Sequence, residues 1–234
     1  MKKKIIRVVA IIPARSGSKS IKDKNIQKIN KKPLLAWSIE TCKRSKEIDY
    51  FFVLTDSLIY KKISQNYGSP IPFGRPKSIS KDSSKDIEFV KYSIKELLKI
   101  NIKPEVIVNI RPTTPFRDYR IVDRAIRIFM KKNKNFSSLR SVEEMPETAL
   151  KTVFVEKNLA KPIFNRYSMD FINSPRQNFK KTFLPNGYID IYKVSNILEK
   201  NILYGKKVFA YKTPRTIEID SKHDLALARK IYKI

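Results

Sequence analysis

Short apolar runs alternate with segments of helical periodicity along most of this 234-residue chain. Three of the runs have the length of a buried strand, at 5–12, 50–55 and 105–110. Amphipathic helices are predicted at 34–45, 58–66, 86–99 and 119–131. Because strands that alternate with helices usually form parallel sheets, the pattern predicts a Rossmann-like α/β fold, with a mostly parallel sheet flanked by helices.

The alternation changes near residue 136. Residues 136–192 contain short β-like runs separated by turns and no long helical pattern, which predicts an inserted β-rich lobe within a single domain, 1–234. The earlier pattern then returns, with strands predicted at 207–211 and 216–219 and a closing helix at 221–232. Ser221 and Asp224 have the spacing of an N-cap and a short capping box for that helix.

The net charge of +28 arises from 50 basic and 22 acidic residues. Nucleic-acid binding is one interpretation, but the lysines are scattered and form no basic tail, so a solvated surface that attracts small anions is favoured. No apolar run reaches the roughly 18 residues of a membrane span, and the first run lacks a cleavage site, which favours a cytoplasmic protein. Cys42 is the only cysteine, so no intrachain disulfide or cysteine metal cluster is expected.

The segment AIIPARSGSKSIKDKN leads from the first predicted strand into a loop of small residues with four cations: Arg15, Lys19, Lys22 and Lys24. It is not a P-loop, because Lys19 follows serine instead of glycine, and the chain has no G-x-G-x-x-G. Backbone N–H groups of such a turn, together with the cations, could bind a triphosphate. An exposed basic turn is the alternative for this stretch alone.

The segment TIEID places two carboxylates near the end of the chain. Residues two apart on a strand point to one face, so Glu218 and Asp220 can converge. Carboxylate oxygens facing a polyphosphate are natural ligands for Mg²⁺, and a solvated strand face is the alternative. His223 is the only histidine and has no nucleophile pattern beside it, which argues against a Ser/His/Asp triad.

Several motifs occur in one order along residues 10–228. They are PARSGSKSIKDKN, TDS, RPKSISKDSS, RPTTPFR, PRQ, LPNGYIDI and TIEIDSKHDLALA. Together they resemble the signatures of the acylneuraminate cytidylyltransferases, the CMP-sialic acid synthetases. The resemblance implies a nucleotide-diphospho-sugar transferase type of fold and a reaction in which the anomeric hydroxyl of a nine-carbon 2-keto sugar acid attacks the α-phosphate of CTP.

The resemblance also implies roles for individual residues. Catalytic roles fall to Arg15, Lys19, Lys24 and Asp220. The implied nucleotide-binding residues are Ala14, Arg15, Ser18, Lys19, Lys24, Asn25, Arg75 and Asp86. The implied sugar-binding residues are Arg111, Lys151, Arg176 and Asn186. Glu218 and Asp220 would bind Mg²⁺, and the 136–192 lobe would form a homodimer interface that helps to complete the partner's site.

Two departures from the family pattern bear on the substrate. Arg111 stands where the sialic acid enzymes usually have glutamine, and a cationic fork should recognise different sugar groups than an amide does. Glu218 stands where aspartate is common, which shifts a metal-ligating oxygen by about a bond length. A legionaminic or pseudaminic acid is therefore a candidate acceptor, and a cytidylyltransferase for the eight-carbon acid KDO is the alternative. No residue is predicted as the general base; a metal-bound or solvent hydroxide and the sugar's own carboxylate remain open.

Overall fold

A computed structural model describes residues 6–232 of the chain, so the predicted start of the first strand at residue 5 lies outside the described residues. The strands are β1 (Val8–Pro13), β2 (Lys28–Ile29), β3 (Lys32–Pro33), β4 (Tyr50–Leu54), β5 (Val106–Asn109), β6 (Ser138–Glu144), β7 (Val153–Glu156), β8 (Leu159–Pro162), β9 (Phe183–Lys193) and β10 (Val208–Lys212). The α-helices are α1 (Leu34–Arg44), α2 (Leu58–Asn66), α3 (Asp86–Lys99), α4 (Tyr119–Lys132), α5 (Met169–Ile172), α6 (Val194–Lys200) and α7 (Lys222–Ile231).

Six of the strands form one sheet in the order β10-β6-β9-β5-β1-β4. β1 pairs in parallel with β4 and β5, and β10 pairs in parallel with β6. β9 runs antiparallel to both of its neighbours, β5 and β6. The predicted α/β fold with a mostly parallel, helix-flanked sheet is confirmed. The carboxyl ends of β1, β4 and β5 consequently lie at the same edge, where ligands bind in open α/β sheets.

Helices cover both faces of this sheet. One apolar cluster joins α1 and α4 to one face, with Val108 and Phe129 among its buried side chains. A second cluster joins α3 and α6 to the other face, with Ile94 and Tyr192 among its members. β1 lies between the clusters, which explains why its residues form an uninterrupted apolar run in the sequence.

The boundaries predicted for the inserted lobe were wrong. The runs at both ends of 136–192 form β6 and β9, which belong to the central sheet, where β9 pairs with both β5 and β6. Outside the sheet lie residues 145–182, which contain the β7–β8 hairpin, α5 and two short 3₁₀ turns. This segment, 145–182, is called the extension below.

The strand predicted at 216–219 was also wrong. These residues form no sheet ladder, although the Ile219 amide donates a 2.7 Å hydrogen bond to the Thr113 carbonyl oxygen. Burial of Ile219 in a small cluster with Leu34 and Leu225 holds the segment in place instead. The capping box at Ser221 and Asp224 is confirmed as the start of α7. No helix among residues 6–232 has the length and apolar character needed to span a membrane.

Candidate active site

A cavity of about 210 Å³ opens beyond the carboxyl ends of β1 and β5. Seven of the predicted substrate-binding residues line it: Arg15, Ser18, Lys24, Asn25, Arg75, Asp86 and Arg111. Its remaining lining residues are Pro13, Ser84, Phe89, Pro112 and Thr113. Positions spread over a hundred residues of sequence are therefore brought to one place by the parallel strands.

The loop after β1 is anchored by hydrogen bonds at several points. The Ala14 amide donates to the Leu54 carbonyl oxygen at 2.9 Å, which places Ala14 beside the end of β4 and not in the cavity. The Asp56 carboxylate accepts from the amide and the hydroxyl of Ser16, at 2.7 and 2.8 Å. The Asn25 side-chain amide donates to the Arg15 carbonyl oxygen at 2.9 Å. The TDS motif thus holds the loop in a defined shape through its aspartate.

Carboxylates pair with the cations of this loop. Asp82 accepts from Arg15 at 2.6 Å and lies 2.9 Å from the Lys19 ammonium. Those hydrogen bonds, first from Lys19 and then from Arg15, lower the pKa of Asp82. The Lys19 side chain is 85% exposed and lies outside the cavity lining, so it reaches the site only from the rim. Asp82 was not assigned a role from the sequence, although it lies in the quoted RPKSISKDSS motif.

The two predicted metal ligands, Glu218 and Asp220, lie in the segment just before α7, where Asp220 pairs with Lys24. Asp220 is mostly exposed and lies 3.0 Å from the Lys24 ammonium, which is itself largely buried. Glu218 is half-buried and accepts a hydrogen bond from the Gly187 backbone amide. Burial raises the pKa of Glu218, and the charge of Asp220 raises it further. Asp220 is thus near enough to Glu218 for its charge to disfavour ionisation of that carboxyl.

Arg75 is another cation of the cavity lining. Its guanidinium donates to the Ile79 carbonyl oxygen at 2.6 and 3.1 Å and lies 5.0 Å from the centre of the Phe89 ring. Burial lowers the pKa of Arg75. Arg75 is therefore fixed beside an aromatic face, an arrangement suited to the planar base of a nucleotide.

Arg111 lies in the cavity between two carboxylates. It is 2.7 Å from Asp86, at the start of α3, and 3.2 Å from Asp190, which is 2% exposed on β9. Burial lowers the pKa of Arg111, but Asp190 and Asp86 outweigh burial and the net shift is upward. Asp190 was missed in the sequence, where the signal was a lone acidic residue within the apolar run GYIDIY.

Arg117 fixes the loop that carries Arg111. It is buried and donates to the carbonyl oxygens of Tyr188, Arg111 and Gly187, each at 2.6 Å, and to that of Thr114. Burial lowers the pKa of Arg117 to about 10. This arginine ends the RPTTPFR motif, and no pattern in the sequence indicated that its partners would be backbone carbonyl groups.

The other predicted sugar-binding residues do not line the cavity. Asn186 is buried, and its amide donates to Glu143 and Thr213 at 3.1 and 3.0 Å. Lys151 donates to the Ser174 carbonyl oxygen within the extension, at 3.1 Å. Arg176 lines a separate cavity of about 590 Å³, also in the extension. Within one chain, Arg111 is thus separated from Lys151 and Arg176, because the extension lies outside the sheet.

A family model described as cytidylyltransferase matches residues 9–233 of the chain. The chain belongs to the cytidylyltransferase family. The family prediction made from the ordered motifs is thereby confirmed, and the chain is a nucleotidyltransferase of this type.

Curated relatives of this cytidylyltransferase cover nearly all of it. N-acylneuraminate cytidylyltransferase of Escherichia coli is 28% identical over 95% of the chain, which spans only 51% of that protein's length. CMP-N,N'-diacetyllegionaminic acid synthase of Legionella pneumophila is 26% identical over 98% of the chain and 97% of the relative. Pseudaminic acid cytidylyltransferase of Campylobacter jejuni is 26% identical over 97% and 96%.

The fold also matches solved cytidylyltransferase structures. A structure of CMP:2-keto-3-deoxy-manno-octonic acid synthetase in complex with CTP has a TM-score of 0.71 and 15% identity, covering 96% of this chain and 98% of that one. A 4-diphosphocytidyl-2C-methyl-D-erythritol synthase has a TM-score of 0.66 and 10% identity, covering 96% and 97%. At such identities the match establishes the fold alone.

Proposed function

We propose that this cytidylyltransferase transfers CMP from CTP to the anomeric hydroxyl of a nonulosonic acid and releases pyrophosphate. The observation that carries the proposal is the juxtaposition of Arg15, Lys24 and Arg75 in one cavity, with Asp220 beside Lys24 and Glu218 two residues before Asp220 in the chain. The names of the relatives support the acceptor class, since they act on sialic, legionaminic and pseudaminic acids.

The cations would act by neutralising and positioning the triphosphate. Arg15 and Lys24 would bind it from the cavity wall, and Lys19 from the rim, once their ion pairs with Asp82 and Asp220 open. The sugar hydroxyl oxygen then forms a bond to the α-phosphorus, and the bond from that phosphorus to the bridging oxygen of pyrophosphate breaks. Such transfers depend mostly on alignment and charge stabilisation, which fixed cations provide. The hydroxyl proton would leave to solvent or to the sugar's own carboxylate.

The nucleoside part of CTP would lie against three of the cavity-lining residues, Arg75, Ser18 and Asn25. The fixed guanidinium of Arg75 and the ring of Phe89 lie together in the cavity lining. The end of the cavity at Arg111 would then accept the sugar acid.

The donor set fits a magnesium ion. Glu218 and Asp220 offer carboxylate oxygens only, and no cluster of three or more acidic, histidine or cysteine ligands occurs among residues 6–232. Magnesium is commonly bound in this way, by one or two carboxylates plus substrate phosphates. When bound, the ion would neutralise charge on the triphosphate as it develops.

The metal assignment is tested with Asp220→Asn. Residues that only support a metal ligand typically contribute about 10–100-fold to activity. Because Asp220 would be a ligand itself, its removal should lower kcat by at least about 100-fold. Cooperative unfolding should persist, since Asp220 is mostly exposed. Glu96→Gln, which removes a partly exposed carboxylate paired with Lys99 outside the cavity, is the control. Near-normal turnover of Asp220→Asn would show that the metal binds elsewhere.

A homodimer would bring Lys151 and Arg176 to the site. In one chain these residues lie in the extension, away from the cavity at Arg111. The extension also presents exposed apolar side chains, Phe154, Val155 and Leu159, on a two-stranded hairpin. A lone hairpin is at best marginally stable in water, so contact with a second copy would stabilise it.

We also infer that the protein works in the cytoplasm, because CTP is available there.

A panel of acceptors tests the proposed function. The protein is incubated with CTP, Mg²⁺ and, separately, sialic, legionaminic and pseudaminic acids and the eight-carbon acid KDO, and pyrophosphate release is measured. Activity with a nine-carbon acid is expected. Activity with KDO alone would favour the alternative enzyme, and absence of release with every acid would refute the proposal.

A further inference from the structure

Three polar residues form one row across the central strands of the sheet. In the strand register Asn109 on β5 lies opposite Asp190 on β9, and Asp190 lies opposite Arg140 on β6. Directly opposed residues share a face of the sheet, here the face covered by α3 and α6. A polar row in the middle of an otherwise apolar sheet is costly unless its members are paired, so its presence calls for a reason.

Asp190 is the centre of this row. Its carboxylate lies 3.2 Å from Arg111 on one side and 3.8 Å from the Arg140 Nε on the other, which is too far for a direct hydrogen bond. Burial raises the pKa of Asp190, and the two guanidinium groups oppose that shift. Two arginines therefore share one buried carboxylate, and such an ionic cluster is weak evidence for a purely stabilising role.

Arg111 is the member of the cluster that reaches the cavity. Its inner partner, Asp190, is 2% exposed, whereas its outer partner, Asp86, is 38% exposed and lines the same cavity. The inner bond is closed to solvent, and the outer bond lies where a ligand can enter. A buried partner holds a guanidinium in place at little further entropic cost, while an exposed one is readily exchanged.

We propose that Asp190 is a positioning residue that holds Arg111 as the carboxylate receptor of the cavity, and that the carboxylate of the acceptor replaces Asp86 as the outer partner of Arg111. This rests on the proposed function, because the other cations of the cavity, Arg15, Lys24 and Arg75, are assigned there to the nucleotide. Asp86 then serves as an internal stand-in for the acid group of the sugar. Recognition of an acidic acceptor would depend on a residue that never touches it.

Asp190→Asn tests the positioning role. The substitution keeps the shape and removes the charge, so KM for the active sugar acid should rise about tenfold or more while KM for CTP stays within about twofold. Asp123→Asn is the matched control, because Asp123 is a buried carboxylate that caps the Ser45–Glu47 turn, outside the cavity. The control should reduce the free energy of unfolding without changing the ratio of the two KM values. An equal rise in both KM values, or no rise, for Asp190→Asn would overturn the proposal.

Asp86→Asn tests whether the sugar carboxylate replaces Asp86 at Arg111. Asp86 lies at the start of α3, so this substitution leaves the central sheet unchanged. Without a competing charge on Arg111, KM for the sugar acid should fall, by up to about fivefold for an exposed ion pair. A rise in that KM would overturn the exchange. If the unaltered protein is inactive with every acid, the proposed function fails; if it is active and the KM ratios do not move, only this inference fails.

Discussion

Gly187 determines where Glu218 can lie. A Cβ atom at this position would be 2.4 Å from the Glu218 Oε1 and 2.6 Å from the Thr114 hydroxyl oxygen. Both distances are far below van der Waals contact. The Gly187 amide also donates to the Glu218 carboxylate. The glycine of the PNG motif is thus required by a close approach of side chains to the backbone, and the backbone angles of this glycine need no left-handed conformation.

Gly187→Ala should therefore displace Glu218. Overpacking of a well-packed site typically costs about 1–3 kcal/mol, so the free energy of unfolding should fall by that amount. Turnover should fall as well, because the carboxylate that we propose as a metal ligand would move. Urea unfolding and steady-state kinetics measure the two effects.

Gly74→Ala provides the control, since a Cβ there has nothing within 4 Å. It should change stability by no more than about 0.5 kcal/mol. If both alanine variants behave alike, the contact between Gly187 and Glu218 is not what constrains the site.

At the scale of elements, Arg117 joins the loop after β5 to β9. Its bonds to carbonyl oxygens at 111, 114, 187 and 188 connect the residues that carry Arg111 with the strand that carries Asp190. Lysine has three donors on a flexible stem and cannot reproduce this planar fork. Several buried carbonyl groups would lose their partner, each at a cost of about 1–3 kcal/mol.

Arg117→Lys should accordingly lower the free energy of unfolding by about 3 kcal/mol or more, measured by urea denaturation. Arg120→Lys is the matched control, because Arg120 is an exposed arginine nearby that pairs with Asp118. That control should stay within about 0.5 kcal/mol of the unaltered chain. Equal stability of the two lysine variants would mean that the buried fork is dispensable.

The elements also show where prediction from sequence stops. Apolar periodicity located β1, β4, β5 and the long helices, because the spacing of apolar residues in each of these elements reflects which of its side chains are buried. It failed for β6 and β9, because a strand shows its length and burial but not which strand it pairs with. It failed at 216–219, where an extended segment is held by one bond from Ile219 to Thr113 instead of a ladder.

Some residues of the candidate site could be predicted from the sequence and others could not. Residues that follow a strand, such as Arg15 and Arg111, were predictable because parallel strands share one edge. Asp82 and Asp190 were not, since each acquires its role from a cation distant in sequence. Lys151 and Arg176 were implied by resemblance as sugar ligands and lie apart from the cavity in a single chain, so their role depends on assembly.

At the scale of the whole molecule, the exposed apolar side chains of the extension lead us to predict a homodimer. Phe154, Val155 and Leu159 are 61%, 73% and 62% exposed on the β7–β8 hairpin. Light scattering after size exclusion should give twice the chain mass of 27.4 kDa. The double variant Val155→Asp/Leu159→Asp should shift the mass to that of one chain and raise KM for the sugar acid, because charges would be placed in an apolar contact.

Leu58→Asp is the control for this experiment. Leu58 is 83% exposed at the start of α2, outside the extension, so the substitution should leave the mass unchanged. A monomeric unaltered chain, or a dimer that survives both hairpin substitutions, would contradict the assignment of this surface.

The net charge of +28 should also affect both substrates from a distance. A positive field raises the encounter rate of an anion, and the effect grows with the charge of the ligand. As the Debye length falls to about 8 Å at 0.15 M salt, kcat/KM for CTP should decrease with ionic strength more steeply than kcat/KM for the singly charged sugar acid, at constant free Mg²⁺. Equal salt dependence for both substrates would mean that the charge is spread too evenly over the surface to guide CTP to the cavity.

A salt titration also tests the alternative that the charge serves to bind nucleic acid. In that case duplex DNA should bind the protein and compete with CTP. The logarithm of its binding constant should fall with the logarithm of the salt concentration, with a slope near −0.9 for each neutralised phosphate.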